Sequence, residues 1–468
     1  MTTVASEKDR QTRMILSEDL WKLMYRLSWP AVLAMVLYGL NSVLDAIFVG
    51  TFVGETALAG VSLAYPLSRV TLGVGSLIGV GAGSALSIAL GANDKETQRK
   101  LLGNVNYLSL VATVFYTVVA LLLATYLVRA MGGRGEALGL GTSYFRITVF
   151  GSLFWIYGLA GNMIVRAEGK MKSAAAIMGI GLGVNIVANY VLIVLMGMGV
   201  AGAAWGTNLG MLVYTVAGLL YFTRGKASFD AQPFTLARDS KIIKSILSLG
   251  MPSMIMTVMS LIQAIVVFNA LSRYGTVSDL ALYGAIFRIF TLLLTPVFGL
   301  MRALQPVIGI NYGAGQYGRV IRSFKLFTLG GMLLLLLPWL GIMFAPGSVL
   351  GLMIVDRVFD AASLSYLRIQ LALLPILPVI FMMMTFYPAI NKGRPAAIMG
   401  VARQLLLYVP VMLIMPRLFG IQWVYYGAFL IDFFVTLWVI YLVKREFDIL
   451  RGRMSGAVAV APAVGPNS

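Results

Sequence analysis

Apolar residues run along this chain in long blocks separated by short polar and basic stretches. A block of about 20 apolar residues is what an α-helix needs to cross the hydrocarbon core of a bilayer. Such blocks fall at about 28–50, 57–90, 103–128, 142–165, 174–196, 202–222, 246–271, 280–309, 326–345, 363–390, 396–416 and 422–443. The pattern predicts an all-α polytopic membrane protein with twelve transmembrane helices. The second and eighth blocks are long enough to bend, tilt or break within the membrane. Only the stretch Met196 to Ala201 separates the fifth from the sixth, which predicts a tight hairpin. Residues 1–26 are polar and charged and lack a short apolar core with a small-residue cleavage site. No cleavable signal peptide is expected, and the first block reads as a permanent helix.

The blocks repeat. Pairing Pro30 with Pro252 gives an offset of 222 residues, and the same offset pairs Gly91-Ala92 with Gly313-Ala314. The pentapeptide AAIMG at Ala175–Gly179 recurs at Ala396–Gly400, an offset of 221. Each unit holds six spans, an even number, so both copies start from the same side of the membrane. Two lobes related by a pseudo-two-fold axis along the membrane normal are expected, a geometry that lets lobes rock around a midplane site. The boundaries read as an N-terminal segment at 1–27, an N-lobe at 28–222, a linker at 223–245, a C-lobe at 246–443 and a basic, then disordered, tail at 444–468.

Composition fits this picture: 59% of residues are hydrophobic, 12% are charged and 50 are glycine. The net charge of +18 is a matter of topology. Of the Lys and Arg outside the spans, 25 fall in the termini and alternate loops, among them Lys95, Arg99, Lys170, Arg319 and Lys392. Only Arg129, Arg134, Arg273, Arg357 and Arg417 fall in the opposite loops. Basic loops stay inside, so both termini are expected in the cytoplasm, with the chain multi-pass in the cytoplasmic (inner) membrane. No soluble basic domain remains to bind nucleic acid. The chain has no cysteine and no histidine. This excludes disulfides and Ser-His or Cys-His catalysis, and with no paired carboxylates an intramembrane enzyme is not expected.

Among the 18 acidic residues only Asp45 and Asp432 fall well inside apolar spans. A carboxylate in a bilayer is costly and usually functional. Asp45 follows Pro30 by 15 residues, roughly 22 Å along a helix, and Pro30 removes a helix hydrogen bond and can kink the span. A bending helix with one acid is a candidate ion-coupled gate, with Asp45 a proton or sodium site. Asn185 and Asn189, four apart, share a helix face. Together with Asp45 and Thr207 they could supply oxygen ligands to a hard cation such as Na+. Asp432 has another reading, since Arg288, Arg302 or Arg403 could neutralise it. Tyr38, Asn41, Trp155, Tyr157, Met259 and Gln263 are candidates for contact with substrate, and the 26 methionines could line an adaptable surface or simply pack. The glycine runs Gly79–Ser84 and Gly179–Gly183 lack the strand and lysine of a phosphate loop and read as close helix packing.

At these residues the chain resembles the multidrug and toxic compound extrusion (MATE) family. The resemblance spans roughly residues 20 to 450 and is carried by WPAVLAMVLYGLNSVLDAIFVG, ETALAGVSLAYP, GAGSALSIALGAND, RAEGKMKSAA and GVNIVANYVLIV…GMGVAGAAWGT. It implies a twelve-helix antiporter, without cofactor, that exports small organic compounds in exchange for H+ or Na+. It also implies that Asp45 is the N-lobe ion site, that Asn185 and Thr207 assist it, and that Pro30 is the bending proline. Asn189 stands where relatives often have aspartate. Losing that charge weakens a sodium cage and favours protons. Spans seven, eight and ten carry no acid, which argues against an ion site in the C-lobe.

The expected function is efflux of amphipathic, cationic compounds by a monomer embedded in lipid. The alternative is a lipid-linked precursor flippase of the same superfamily. That would need arginines facing the cleft, for which Arg69, Arg146, Arg288, Arg302, Arg368 and Arg403 are available. The repeat is informative where it breaks: Asp45 pairs with Val267, and Asn185 and Asn189 pair with Leu406 and Pro410.

Overall fold

In the computed structural model every apolar block becomes helix, with acidic and hydroxyl side chains at several of the starts. Residues 2–351 and 359–455 are described; Arg357 and the tail from 456 onward lie outside them. An N-terminal helix, α1 (Thr2–Ser17), precedes the first span, α2 (Leu20–Phe52). The N-lobe continues with α3 (Glu55–Gly91), α4 (Lys95–Ala130), α5 (Gly135–Phe150) with α6 (Ser152–Ala167), α7 (Met171–Asn189) running into a π-helical segment (Tyr190–Leu195), and α8 (Gly199–Thr223). The C-lobe repeats this with α9 (Ser240–Tyr274), α10 (Val277–Gly313), α11 (Tyr317–Phe344), the short α12 (Pro346–Gly351) and α13 (Ala361–Leu371) with α14 (Pro378–Ala389). It ends with α15 (Gly393–Val401), a second π-helical segment (Ala402–Tyr408), α16 (Val409–Phe419) and α17 (Trp423–Met454). Asp19, Asp94, Asp239 and Asp360 accept backbone N–H bonds at the starts of α2, α4, α9 and α13. Four of the 18 acidic residues therefore serve as helix caps.

The twelve expected spans are each accounted for, and two of them, the fourth and the tenth, are broken. The long α3 and α10 run unbroken. Span four bends by 54° between α5 and α6. There the Asn208 side chain from α8 donates to Ile147 O at 2.6 Å, and a Cβ on Gly151 would meet Asn208 Oδ1 at 2.1 Å. An inserted side chain takes over a helix carbonyl, which is a recognised cause of kinks. Span ten breaks at LPILP, between Leu371 and Pro378, where Trp339 Nε1 donates to Ala372 O at 3.1 Å. The hairpin between spans five and six is as tight as expected, turning through Gly197 and Gly199 at φ 63° and 58°.

Helix α2 shows how one span serves two environments. Leu33, Val36, Leu40, Val43 and Ile47, at three- and four-residue spacing, are 45–54% exposed and form a stripe toward lipid. Tyr38, Asn41 and Asp45 occupy the opposite side.

The lobes meet through glycines. A Cβ on Gly91 would fall 2.0 Å from Ile310 O, and one on Gly313 would fall 2.1 Å from Ile88 O. Both members of each pair are related by the repeat offset, so this contact is self-complementary and marks the pseudo-two-fold axis. Gly81 and Gly250 face each other's helices as well: a Cβ on Gly81 would fall 1.9 Å from Ile246 O, and one on Gly250 would fall 1.7 Å from Leu77 O. Gln305 of α10 donates to Val80 O and Ser84 Oγ across the seam. These contacts lie in the half of the molecule nearest the α10–α11 turn. Both chain ends reach that turn: Arg319 donates to Ile15 O and Glu18 O, and Arg453 donates to the Tyr312 hydroxyl. The seam is thus closed on the terminus-bearing face. The N-terminal segment is part of the closure, because Gln11 donates to Gly169 O of the N-lobe. The linker is also tied down, with Asn106 donating to Pro233 O and Thr235 O, and Asn104 accepting from Asp239 N–H.

Candidate functional site

The pairing of α7 with α8 creates the site. On α8, Gly202, Gly206 and Gly210 stand four apart on one face. A Cβ on Gly206 would lie 2.1 Å from Asn189 Oδ1, and one on Gly210 would lie 2.7 Å from Asn185 Cβ. The missing side chains let two asparagines enter a helix interface that larger residues would close. The π-helical turn begins immediately after Asn189; such turns recur at functional sites.

Both asparagines reach Asp45 of α2. Asn189 Nδ2 donates to Asp45 Oδ1 at 2.6 Å, and Asn41 Nδ2 to Oδ2 at 3.3 Å. Hydrogen bonding decides amide orientation. The Asn185 orientation that satisfies both ends donates to Asn41 Oδ1 at 2.8 Å and Asp45 Oδ1 at 3.1 Å, and accepts the Thr207 N–H at 3.3 Å. The expected quartet of Asp45, Asn185, Asn189 and Thr207 is therefore one cluster. Thr207 Oγ1 donates to Ala203 O at 2.9 Å, so its hydroxyl proton is committed to its own helix.

A cavity of about 60 Å³ opens beside the acid. Tyr38, Asn41, Trp155 and Thr207 line it, as do Tyr65, Tyr144 and Thr148, which sequence reasoning did not assign to the site, and Arg69, which it named only as one of six arginines available to face the cleft. Arg69 lies over the Tyr65 ring at 5.8 Å, a cation–π arrangement. No short motif announces these four, because they come from α3 and from α5, whose bend against α6 brings span four to the site. Tyr157, Met259 and Gln263 are not among the lining residues. Met259 is buried within the C-lobe, as are Met382 and Met383, and Gln263 accepts from Gln404 Nε2 at 2.7 Å.

Pro30 sits buried within a continuous α2, about four turns before Asp45. Asp432 is neutralised by Arg403, whose Nη2 and Nε donate to Asp432 Oδ1 at 2.6 and 3.0 Å. Of the other intramembrane arginines, Arg146 donates to Thr125 and Arg368 to Met343 O, Arg288 is exposed, and Arg302 is set apart in α10. Only Arg69 of the six faces the Asp45 cavity among the described residues.

Comparison with known proteins agrees with this geometry. The MatE family model matches residues 30–191 and again 252–414, the two matches starting 222 residues apart. The chain is 23% identical over 445 residues to the multidrug export protein MepA of Staphylococcus aureus strain N315, covering 94% of this chain and 98% of that one. MepA of Staphylococcus haemolyticus is equally similar. Among solved structures, a MATE in the bent conformation superposes with a TM-score of 0.89 at 25% identity, covering 95% of this chain and 99% of that one. An outward-facing multidrug resistance MATE transporter of the MOP superfamily gives 0.87 at 25%, covering 94% and 98%. A MOP superfamily transporter from Pyrococcus furiosus, described as having a binding pocket of reverse polarity, gives 0.85 at 26% with the same coverage.

Proposed function

Because the chain belongs to the MATE family, we propose that it is a multidrug efflux transporter that exports amphipathic, cationic organic compounds in exchange for protons taken up at Asp45. The observation that carries proton coupling is the charge count around the acid: Asp45 is the single carboxylate lining the cavity among the described residues, and its polar neighbours Asn41, Asn185 and Asn189 are neutral amides. A hard cation favours several carboxylate oxygens, whereas a lone carboxylate suffices for a proton. Hydrogen bonds to a charged group contribute about 1.5–3 kcal/mol each. Protonating Asp45 weakens the ties that hold α2 to α7 and frees the proline-containing span to move.

The cavity supplies a second effect. With Asp45 ionised, its charge offsets Arg69 on the other wall. With Asp45 protonated, Arg69 is left uncompensated and repels a cationic cargo from the aromatic lining of Tyr38, Tyr65, Tyr144 and Trp155. At about 60 Å³ the cavity holds a few waters, far less than the roughly 300–1,000 Å³ of a drug-sized site. Cargo is accommodated only when α2 shifts. The closed terminus-bearing seam, with the basic loops on the same side, corresponds to an outward-facing arrangement in the cytoplasmic membrane with both termini inside. Arg69 standing alone at the cavity favours this reading over a flippase for polyanionic lipid precursors.

The test is efflux from proteoliposomes with a proton gradient and a sodium gradient imposed separately. Wild-type export is expected to follow the proton gradient and to be lost in Asp45→Asn. Export driven by sodium alone contradicts proton coupling, and export unchanged in Asp45→Asn contradicts the role of the acid.

A further inference from the structure

Span four is broken at its midpoint by a side chain from another helix. A regular α-helix would bond the Gly151 N–H to Ile147 O. Instead the Gly151 N–H donates to Thr148 O at 3.1 Å, and Asn208 Nδ2 of α8 donates to Ile147 O at 2.6 Å. Seven residues further along each helix the contact repeats, with Thr215 Oγ1 donating to Phe154 O at 2.8 Å. Glycines seat both side chains: a Cβ on Gly158 would fall 2.3 Å from Thr215 Oγ1, as one on Gly151 would meet the Asn208 amide. Helix α8 thus grips span four on either side of its 54° bend.

The bend sets the shape of the cavity. Tyr144 and Thr148 line it from α5, and Trp155 lines it from α6. The angle between the two helices fixes how these side chains face one another. Asn208 is 4% exposed, and its Oδ1 is buried with no hydrogen-bond partner among the described residues. Such an atom lowers stability, so packing alone does not account for an amide at this position. The C-lobe breaks its fourth span at the same depth. The repeat offset of 222 carries Gly151 to Leu373, inside the break between Leu371 and Pro378, where Trp339 of α11 donates to Ala372 O at 3.1 Å. Different side chains from different helices produce the same break, so the bend, rather than either residue type, is what the two lobes share.

We propose that Asn208 is a positioning residue for cargo: it holds span four bent, and the bend sets Tyr144 and Thr148 against Trp155 in the geometry that recognises an aromatic cation. The proposal rests on the reading of this cavity as the cargo site. The neighbouring Thr207 lines the same cavity, and its N–H reaches the Asn185 amide oxygen of the ion cluster. One turn of α8 therefore fixes both the ion cluster and the cargo wall. With Asn208 removed, the Gly151 N–H can return to Ile147 O and the span straightens. Helices α5 and α6 have 16 residues each, about 24 Å of helix apiece.

The full-length protein is given spin labels at Glu136→Cys, at the start of α5, and Lys172→Cys, the first exposed position after α6. In Asn208→Ala and in Gly151→Ala/Asn208→Ala, a pair that leaves neither a clash nor a buried amide, the inter-label distance is expected to lengthen by about 5 Å. Proteoliposomes then compare proton-driven efflux of ethidium, a flat aromatic cation. The half-saturating ethidium concentration is expected to rise about tenfold in both variants, with the maximal rate and the pH dependence of efflux as in wild type. A general loss of folding would not produce that split. Distances unchanged in both variants would overturn the proposal, as would lengthened distances with wild-type half-saturation. The distance is read without cargo or gradient and so judges the bend independently, whereas wild type that exports no ethidium counts against the efflux reading.

Discussion

Asn189 is held against Asp45 by the absence of a side chain at Gly206, where a Cβ would sit 2.1 Å from Asn189 Oδ1. Gly206→Ala should push the amide off the acid. Overpacking of this kind costs about 1–3 kcal/mol, and the variant is expected to melt below wild type and to lose most proton-driven efflux. Wild-type melting and transport in Gly206→Ala would contradict that geometry. Glu168, in the turn between α6 and α7, offers a pH test. Burial pushes its carboxyl up from 4.5 to about 7, against the opposing pull of Lys170 and the hydrogen bonds from Ser228 and Tyr221. Between those two values the folded protein keeps a proton that the unfolded chain has released. Stability is therefore gained as pH falls from 7 toward 4.5 and lost as it rises through 7. Melting of wild type in detergent is expected to rise by about 2 °C or more on acidification across this window relative to Glu168→Gln; parallel curves would contradict it. Asp45, Asn185, Asn189 and Thr207 were legible in the sequence because an acid in an apolar span and two amides four apart are local patterns. Tyr65 and Tyr144 were not, since only tertiary packing brings their helices to the acid. The burial of Arg166 was equally hidden, because an arginine carries no local sign of whether neighbouring helices will cover it.

The elements divide into rigid bars and deliberate breaks. Length marked α3 and α10 as helices able to bend, tilt or break; they are continuous and carry the lobe-to-lobe seam. The breaks fall where Asn208 inserts at Gly151 and where prolines flank the LPILP turn. The second of these was visible as local sequence, whereas the first required knowing that α8 packs against span four. Because Gly250 lies 1.7 Å, as an added Cβ, from Leu77 O, Gly250→Ala should prise the seam open. The chain has no cysteine, so spin labels can be placed at Arg99→Cys and Arg322→Cys, exposed positions on the terminus-bearing face of the two lobes. The inter-label distance is expected to lengthen and broaden in Gly250→Ala. Arg319→Ala, which removes the donors to Ile15 O and Glu18 O, should give a smaller shift in the same direction. Unchanged distances in both variants would contradict a seam held by these contacts.

At the scale of the whole molecule the two lobes share a backbone plan and divide the chemistry. The duplication was legible as an offset of 222 residues, and it reappears as the reciprocal contact of Gly91 with Ile310 and Gly313 with Ile88. The positions equivalent to the ion site have other tasks: Val267, the partner of Asp45, is fully buried, and Leu406, the partner of Asn185, is 70% exposed. The C-lobe acid is an internally neutralised pair with Arg403. We therefore propose that ion coupling belongs to the N-lobe, whose residues line the whole of the cavity beside Asp45, while the C-lobe shares the seam. The most direct test compares proton-driven efflux in proteoliposomes holding wild type, Asp45→Asn, or the double variant Arg403→Gln/Asp432→Asn, which removes both charges and leaves neither buried alone. The account predicts that Asp45→Asn abolishes the response to an imposed pH gradient, while the double variant keeps the wild-type response. A double variant that loses proton coupling, or an Asp45→Asn protein that retains it, would contradict the assignment.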